Sequence, residues 1–292
     1  ALASAAWDRG IEFRYGSRLL DYTETTEAVV ARFADGSQAE GDILIGADGI
    51  HSRVRTVMDP DAPRPSYTGL LNLGGVVRDS GLESTPDTMH MIYGKRAFFG
   101  YTVRPDGEAW WFANSGMTRE PTRGELAAIP TDEWKRRLRE LFAGDPSFIV
   151  ELIERSEQIA ATPIHDMPSL PVWHRGRVVL LGDAAHAVSP SAGQGASMAM
   201  EDAIVLAKCI RDLGTPAESF ARFEALRRER TERIVATGRR RGSYKALNSR
   251  AAVFARDLFM PLAFRLFATE KSMSWIYDFE SPWEERVVLE AA

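Results

Sequence analysis

The sequence predicts an α/β fold in which a mainly antiparallel stretch lies between two strand-turn-helix units. Three observations carry this. Val178–Leu181 is an unbroken apolar run, the pattern of a parallel strand buried on both faces, and it ends at Gly182-Asp183. Ile43–Ile45 is a second short apolar run, ending at Gly46-Ala47-Asp48-Gly49. Between them, residues 66 to about 160 hold alternating, aromatic-rich segments separated by turn residues.

The second unit is the most informative. After Asp183 comes a loop with Pro190, Gly193 and Gly195, then Ala199, Ala203, Leu206 and Ile210 at helical spacing. In open α/β sheets ligands sit beyond the carboxyl ends of the strands. An aspartate there accepts hydrogen bonds from sugar or ribityl hydroxyls. Glycines at 193 and 195 let the backbone approach a flat ligand, and a helix start offers N–H groups and the positive end of its dipole to negative charge. The combination suits a ligand with a polyol and a ring that becomes anionic.

Gly182-Asp183 with P190-S-A-G-Q-G195 and E201-D202-A203 resembles the second flavin motif of the class A flavoprotein monooxygenases, the family of p-hydroxybenzoate and salicylate hydroxylases. The upstream segment D42-I-L-I-G-A-D-G-I-H-S-R-V-R55 is similar to that family's internal Asp-Gly motif. The resemblance implies a partial FAD-binding Rossmann-like domain with an inserted, mainly antiparallel β-sheet substrate domain and C-terminal helices. It divides the chain into residues 1–59 and 161–245 for the FAD-binding domain, 60–160 for the substrate sheet and 246–292 for a helical end. It implies cofactor-binding roles for Asp48, Gly49, Arg55, Gly182, Asp183, Pro190, Gly193, Gln194, Gly195 and Ala196. The family's FAD fold opens with a G-x-G-x-x-G turn that this sequence lacks, so roughly a hundred residues are expected ahead of Ala1, as a separate fragment or part of a longer chain.

Composition sets the outer bounds. A chain of 292 residues, 45% apolar and 26% charged, is long enough for two globular domains. The net charge of −5 argues against a nucleic-acid partner. Cys209 is the single cysteine, which excludes an internal disulfide and a Cys-rich metal site and fits a reducing, cytoplasmic compartment. Its place on the apolar side of the helix makes it an inert packing residue. No apolar run reaches the roughly 18 residues a membrane span needs, and the start is no secretory signal.

Along the chain, Ala1–Gly10 reads as a helix end and Ile11–Gly41 as an antiparallel meander, with Val29, Ala31 and Phe33 on one face and a turn at Asp35-Gly36. Ser52 is placed to cap a short helix carrying Arg53 and Arg55, and Asp48 serves either a ligand or that turn. Pro60, Pro63 and Pro65 mark a break. Strands are expected over Tyr67–Val77, Ala97–Val103 and Glu108–Asn114, the last two joined by a turn at R104-P-D-G107. Phe99 and Tyr101 share one face of their strand, Trp110 and Phe112 one face of the partner, and the four are candidates for the wall of an apolar substrate pocket. Helices are expected over Thr131–Phe142 and from Phe148, with a return strand near Gln158–Pro163. His165, Asp166 and His174 fall in the loop that follows; their spacing fits no common ligand pattern, so no metal is expected.

His186 lies inside the flavin-like motif, as a general base or as a packed residue that fixes the loop, the second being favoured. Phe220–Arg241 reads as a helix with a solvated mixed-charge face; its Arg239–Arg241 cluster offers weak contact to a phosphorylated cofactor. Val253–Ala268 is an apolar helix kinked at Pro261, and Trp275 to Phe279 supplies packing aromatics.

The function that the resemblance implies is FAD-dependent hydroxylation of a small, aromatic substrate with NAD(P)H and O2, through a flavin hydroperoxide. A non-hydroxylating FAD oxidoreductase of the same fold and an inactive binding fragment are the alternatives. A flavin halogenase is disfavoured by the absence of W-x-W-x-I-P, and a serine hydrolase by the absence of G-x-S-x-G. No side chain stands out as a catalytic acid or base.

Overall fold

Two short parallel strands carry the two motifs, and everything else packs around or between them. The computed structural model describes residues 1–246, 249–267 and 270–289. Helix α1 (Leu2–Trp7) leads into an antiparallel meander of β1 (Leu19–Glu24), β2 (Val29–Phe33) and β3 (Gln38–Gly41). Asp35-Gly36 makes the β2–β3 turn, with the Asp35 carboxylate accepting from the Ser37 N–H. Strand β4 (Leu44–Gly46) and helix α2 (Arg53–Met58) follow, α2 capped by the Ser52 hydroxyl, which accepts from the Arg55 N–H.

The middle of the chain forms β5 (Ser66–Val77), β6 (His90–Tyr93), β7 (Phe98–Val103), β8 (Ala109–Gly116), α3 (Arg123–Ala127), α4 (Thr131–Leu141), α5 (Ser147–Arg155) and β9 (Ala160–Asp166). Its five strands pair antiparallel in the order β6-β7-β8-β5-β9. Phe99, Trp111, Leu73 and Ala113 on one face bury against Phe142, Leu138, Ile149 and Ile153, forming a core of their own. Truncating a ring such as Phe99 there costs about 3–5 kcal/mol. Sequence alternation missed two elements, β6 and α3. The second is a five-residue helix signalled by a Thr122–Glu125 capping box.

The chain then returns through β10 (His174–Arg175) and β11 (Val178–Leu180), which lies parallel to β4 and antiparallel to β10. A single turn α6 (Asp183–His186), a 3-10 turn at Pro190–Ala192, and helices α7 (Gly195–Asp212), α8 (Pro216–Ser243), α9 (Arg250–Phe267) and α10 (Glu270–Tyr277) complete it. Val178, Val179 and Leu180 are all fully buried, as the apolar run predicts. They share a core with Met58, Trp173, Leu206, Cys209 and Phe223. Cys209 is buried there, and burial pushes its thiol up to about 11, which suits an inert role.

Several expectations need correction. The buried residues of α7 are Met198, Asp202, Val205, Leu206, Lys208 and Cys209, whereas Ala203 and Ile210 face outward. The buried face turns because it contains a buried carboxylate that an apolar pattern skips. Helix α8 is not a purely solvated charged rod, since Arg227 is fully buried and pairs with Asp202 and Glu201. His165 and Asp166 close β9 and His174 opens β10, so none of the three lies in a loop. Of the kinked helix, Pro261 lies inside α9, and Ala268 lies outside the described residues. Among the described residues no helix is long and apolar enough to cross a membrane, and no three His, Cys, Asp or Glu converge as a metal site.

Candidate functional site

The two motifs meet at the carboxyl ends of β4 and β11. Arg55, buried on α2, reaches both: its Nη2 donates to the Ile50 carbonyl at 2.7 Å and its Nη1 to the Ala184 carbonyl at 2.8 Å. Burial holds this guanidinium below its ordinary value, against the pull of Asp48. Arg55 therefore clasps the first turn to the second. Asp48 has both oxygens engaged in capping α2, accepting from Ser52 Oγ at 2.5 Å, the Arg53 N–H at 2.6 Å and the Val54 N–H at 3.1 Å. Gly49 follows in the left-handed region.

The second turn is held differently. Gly182 adopts φ 58°, and a Cβ there would meet the Ala199 side chain at 3.2 Å, so the position demands glycine. Its N–H donates 2.9 Å to Asp202 Oδ2, the same oxygen that lies 2.6 Å from His186 Nε2. Asp202 Oδ1 accepts from Arg227 Nε at 2.7 Å, and Arg227 and Arg230 both pair with Glu201 at 2.7 and 2.8 Å. Burial pushes the Asp202 carboxyl up, but His186 and Arg227 together bring it below its ordinary value. His186 is 3% exposed, bonded to Asp202 and packed on Trp173, which is the geometry of a loop-fixing residue.

Since Asp202 holds the turn, Asp183 is left free. Its side chain is exposed and makes no hydrogen bond or ion pair among the described residues. Pro190, Gly193 and Ala196 are likewise exposed, while Gln194 is buried with its amide on the Gly193 carbonyl. Helix α7 starts at Gly195 with no side-chain cap, so its first N–H groups have no protein acceptor from a cap. Gly193, at φ 65°, turns the chain into that start.

A cavity of about 470 Å³ opens between this loop and the middle sheet, lined by Ser189, Thr68, Leu70, Gly116, Arg239 and Gly242. Leu70 and Gly116 pair across β5 and β8. An open groove of similar size on the outer side of α8, at His174, Glu224 and Arg228, touches no motif residue. The aromatic wall expected for the cavity divides in two. The turn at Arg104–Gly107 pairs Val103 with Ala109, which sets Tyr101 opposite Trp111 and Phe99 opposite Ala113. Phe99 and Tyr101 therefore face the helices, against Phe142 and Phe148. Trp110 and Phe112 lie on the opposite face with Phe98 and Asn114. Alternation tells which residues share a face within a strand; register between strands comes from the turn.

Arg239 does not stand free for a phosphate, because it pairs with the buried Asp166 of β9, its Nε 2.9 Å from Asp166 Oδ2. The site also contains a residue that the sequence did not point to: Arg227, which pairs with Asp202 and Glu201, gave no signal apart from its charge.

A family model described as "FAD binding domain" matches residues 1–237. The chain belongs to this FAD-binding family. It is 33% identical over 247 residues to an aurachin C monooxygenase/isomerase from Stigmatella aurantiaca, covering 84% of this chain and 62% of that protein. It is also 33% identical over 250 residues to a 6-hydroxynicotinate 3-monooxygenase from Bordetella bronchiseptica, covering 80% of this chain and 61% of that one. In three dimensions it is similar to Klebsiella pneumoniae HpxO complexed with FAD and uric acid, with a TM-score of 0.79, 27% identity, and coverage of 93% and 69% of the two chains. The chain thus spans about three fifths of the length of these two curated relatives.

Proposed function

We propose that the complete protein is an FAD-dependent monooxygenase that uses NAD(P)H and O2 to hydroxylate a small planar aromatic or heteroaromatic substrate in a reducing, cytoplasmic compartment. The observation that carries this reading is that Asp183 and the uncapped start of α7 share one glycine loop, and that Ser189 of the same loop borders the cavity against the middle sheet. The names of the similar proteins, two of which are monooxygenases, support it.

The residues fit FAD on their own chemistry. Among the described residues no donor reaches the Asp183 oxygens, which suit ribityl hydroxyls. The N–H groups at the start of α7, near Gly195 and Ala196, suit negative charge on the flavin ring. FAD, when bound, supplies the electron transfer and the activation of oxygen. The protein's part is to orient and to exclude water: Arg55 ties the two turns together, Asp202 fixes Gly182 so that Asp183 points outward, and the cavity shelters the substrate. Asp48, engaged in its cap, acts on the cofactor through the backbone of its turn.

The test is oxygen transfer. The complete polypeptide with FAD, NADH or NADPH and isotopically labelled O2 is offered hydroxylated benzoates and pyridines, and products are read by mass spectrometry. One labelled oxygen in product supports the reading; reduced-cofactor oxidation with no label in any product favours a non-hydroxylating oxidoreductase.

A further inference from the structure

Just beyond α8 the chain crosses the open face of the middle sheet, and there it leaves a buried ammonium. Lys245 is 7% exposed. Its Nζ donates to Asn114 Oδ1 at 2.8 Å, and the Asn114 amide donates in turn to Asn72 Oδ1 at 3.0 Å. The same Nζ lies 4.0 Å from the centroid of the Phe98 ring and 5.8 Å from that of Phe112. Among the described residues no carboxylate pairs with Lys245. A buried cation held only by an amide and two rings is costly, and an anion delivered from outside would complete its shell. Burial lowers the group to about 8, so it still carries its charge at neutral pH.

The cavity ends beside this group, at the residue next to Lys245 in the chain. Leu70 and Gly116, which line it, lie two residues along their strands from Asn72 and Asn114, hence on the same face. Ala246, next to Lys245, lines it as well, and a Cβ on Gly116 would meet the Ala246 side chain at 3.3 Å. Phe98 and Phe112, tilted 41° to one another, supply apolar ring surface beside the ammonium.

We propose that Lys245 is the specificity-determining cation of the substrate cavity, binding a carboxylate or phenolate on a planar aromatic ring, with Asn114 and Asn72 positioning it. This rests on the reading of the cavity as the substrate site of an FAD enzyme.

The complete polypeptide carrying FAD is titrated with benzoate and with benzamide, followed by the flavin absorption spectrum. Wild type binds benzoate about tenfold tighter than benzamide. Lys245→Met loses about tenfold to a hundredfold in benzoate affinity and changes benzamide affinity by less than about threefold. Lys245→Arg keeps the preference for the anion. Lys245→Met also melts no lower than wild type, as expected when an unpaired buried charge is removed, whereas a purely structural lysine would lower it. A wild type that holds FAD but binds both probes alike, or neither, overturns the assignment, as does a preference that survives in Lys245→Met. A protein that does not retain FAD overturns the reading beneath it and the assignment with it.

Discussion

At the ends of the adjacent parallel strands β4 and β11 the chain places the same feature, an aspartate beside a glycine, and the two aspartates meet opposite circumstances. Asp48 accepts three hydrogen bonds at the start of α2. Asp183 accepts none among the described residues, because Asp202, from the next helix, binds the Gly182 N–H in its place. A carboxylate that stabilises its own turn has most of its acceptor sites taken, whereas one relieved of that work offers them all to a ligand. The difference is invisible in the local sequence and lies in which distant residue reaches the turn.

The comparison breaks first at Asp202. Asp202→Ala should lower the unfolding free energy by about 3–5 kcal/mol, because it takes one of two carboxylates from the fully buried Arg227, leaves the buried His186 Nε2 without its partner and frees the Gly182 N–H. A denaturant midpoint shifted by less than about 1 kcal/mol would mean that the turn is held by something else. The same carboxylate predicts an acid limb. Its folded value lies below the ordinary 3.8, so it stabilises the fold above that pH, and the contribution fades as pH falls through the lower folded value. Asp202→Asn should flatten the decline seen below about pH 4.

Next in size is Asp183→Ala, expected to weaken FAD affinity by about tenfold to a hundredfold while the FAD-free protein keeps its stability within about 0.5 kcal/mol. Unchanged affinity in a flavin fluorescence titration would remove Asp183 from the site. Asp48→Ala sharpens the contrast in the other direction: a loss of about 1–2 kcal/mol in stability from the uncapped α2, with FAD affinity within about threefold of wild type. Equal loss of FAD affinity at both positions would make the two turns equivalent. The smallest effect is Gly193→Ala, costing about 1 kcal/mol for the left-handed backbone alone, since no atom lies within 4 Å of the added Cβ.

Much of this architecture was legible because its signals are local. Apolar runs marked β4 and β11, and turn residues marked the β2–β3 and β7–β8 hairpins at Asp35-Gly36 and Pro105-Asp106-Gly107. The capping hydroxyl of Ser52 was legible for the same reason. The aromatic wall was misread because both strands alternate correctly in isolation, and only the pairing of Val103 with Ala109 turns Phe99 away from Phe112. The charged stripe of α8 was misread because a sequence shows an arginine's charge and not the buried carboxylate of Asp202 waiting 25 residues upstream.

By itself, then, the sequence determined where chains turn, that Val178–Leu180 is buried, and that two acidic glycine turns end two strands, whereas the burial expected of Ile43–Ile45 fails at the exposed Ile45. Tertiary structure alone decided which aspartate is free, which face of the sheet borders the cavity, and that Lys245 sits above Phe98 with no carboxylate beside it among the described residues. These depend on contacts between residues far apart in the chain, where the winner is set by which partner arrives and how completely water is removed.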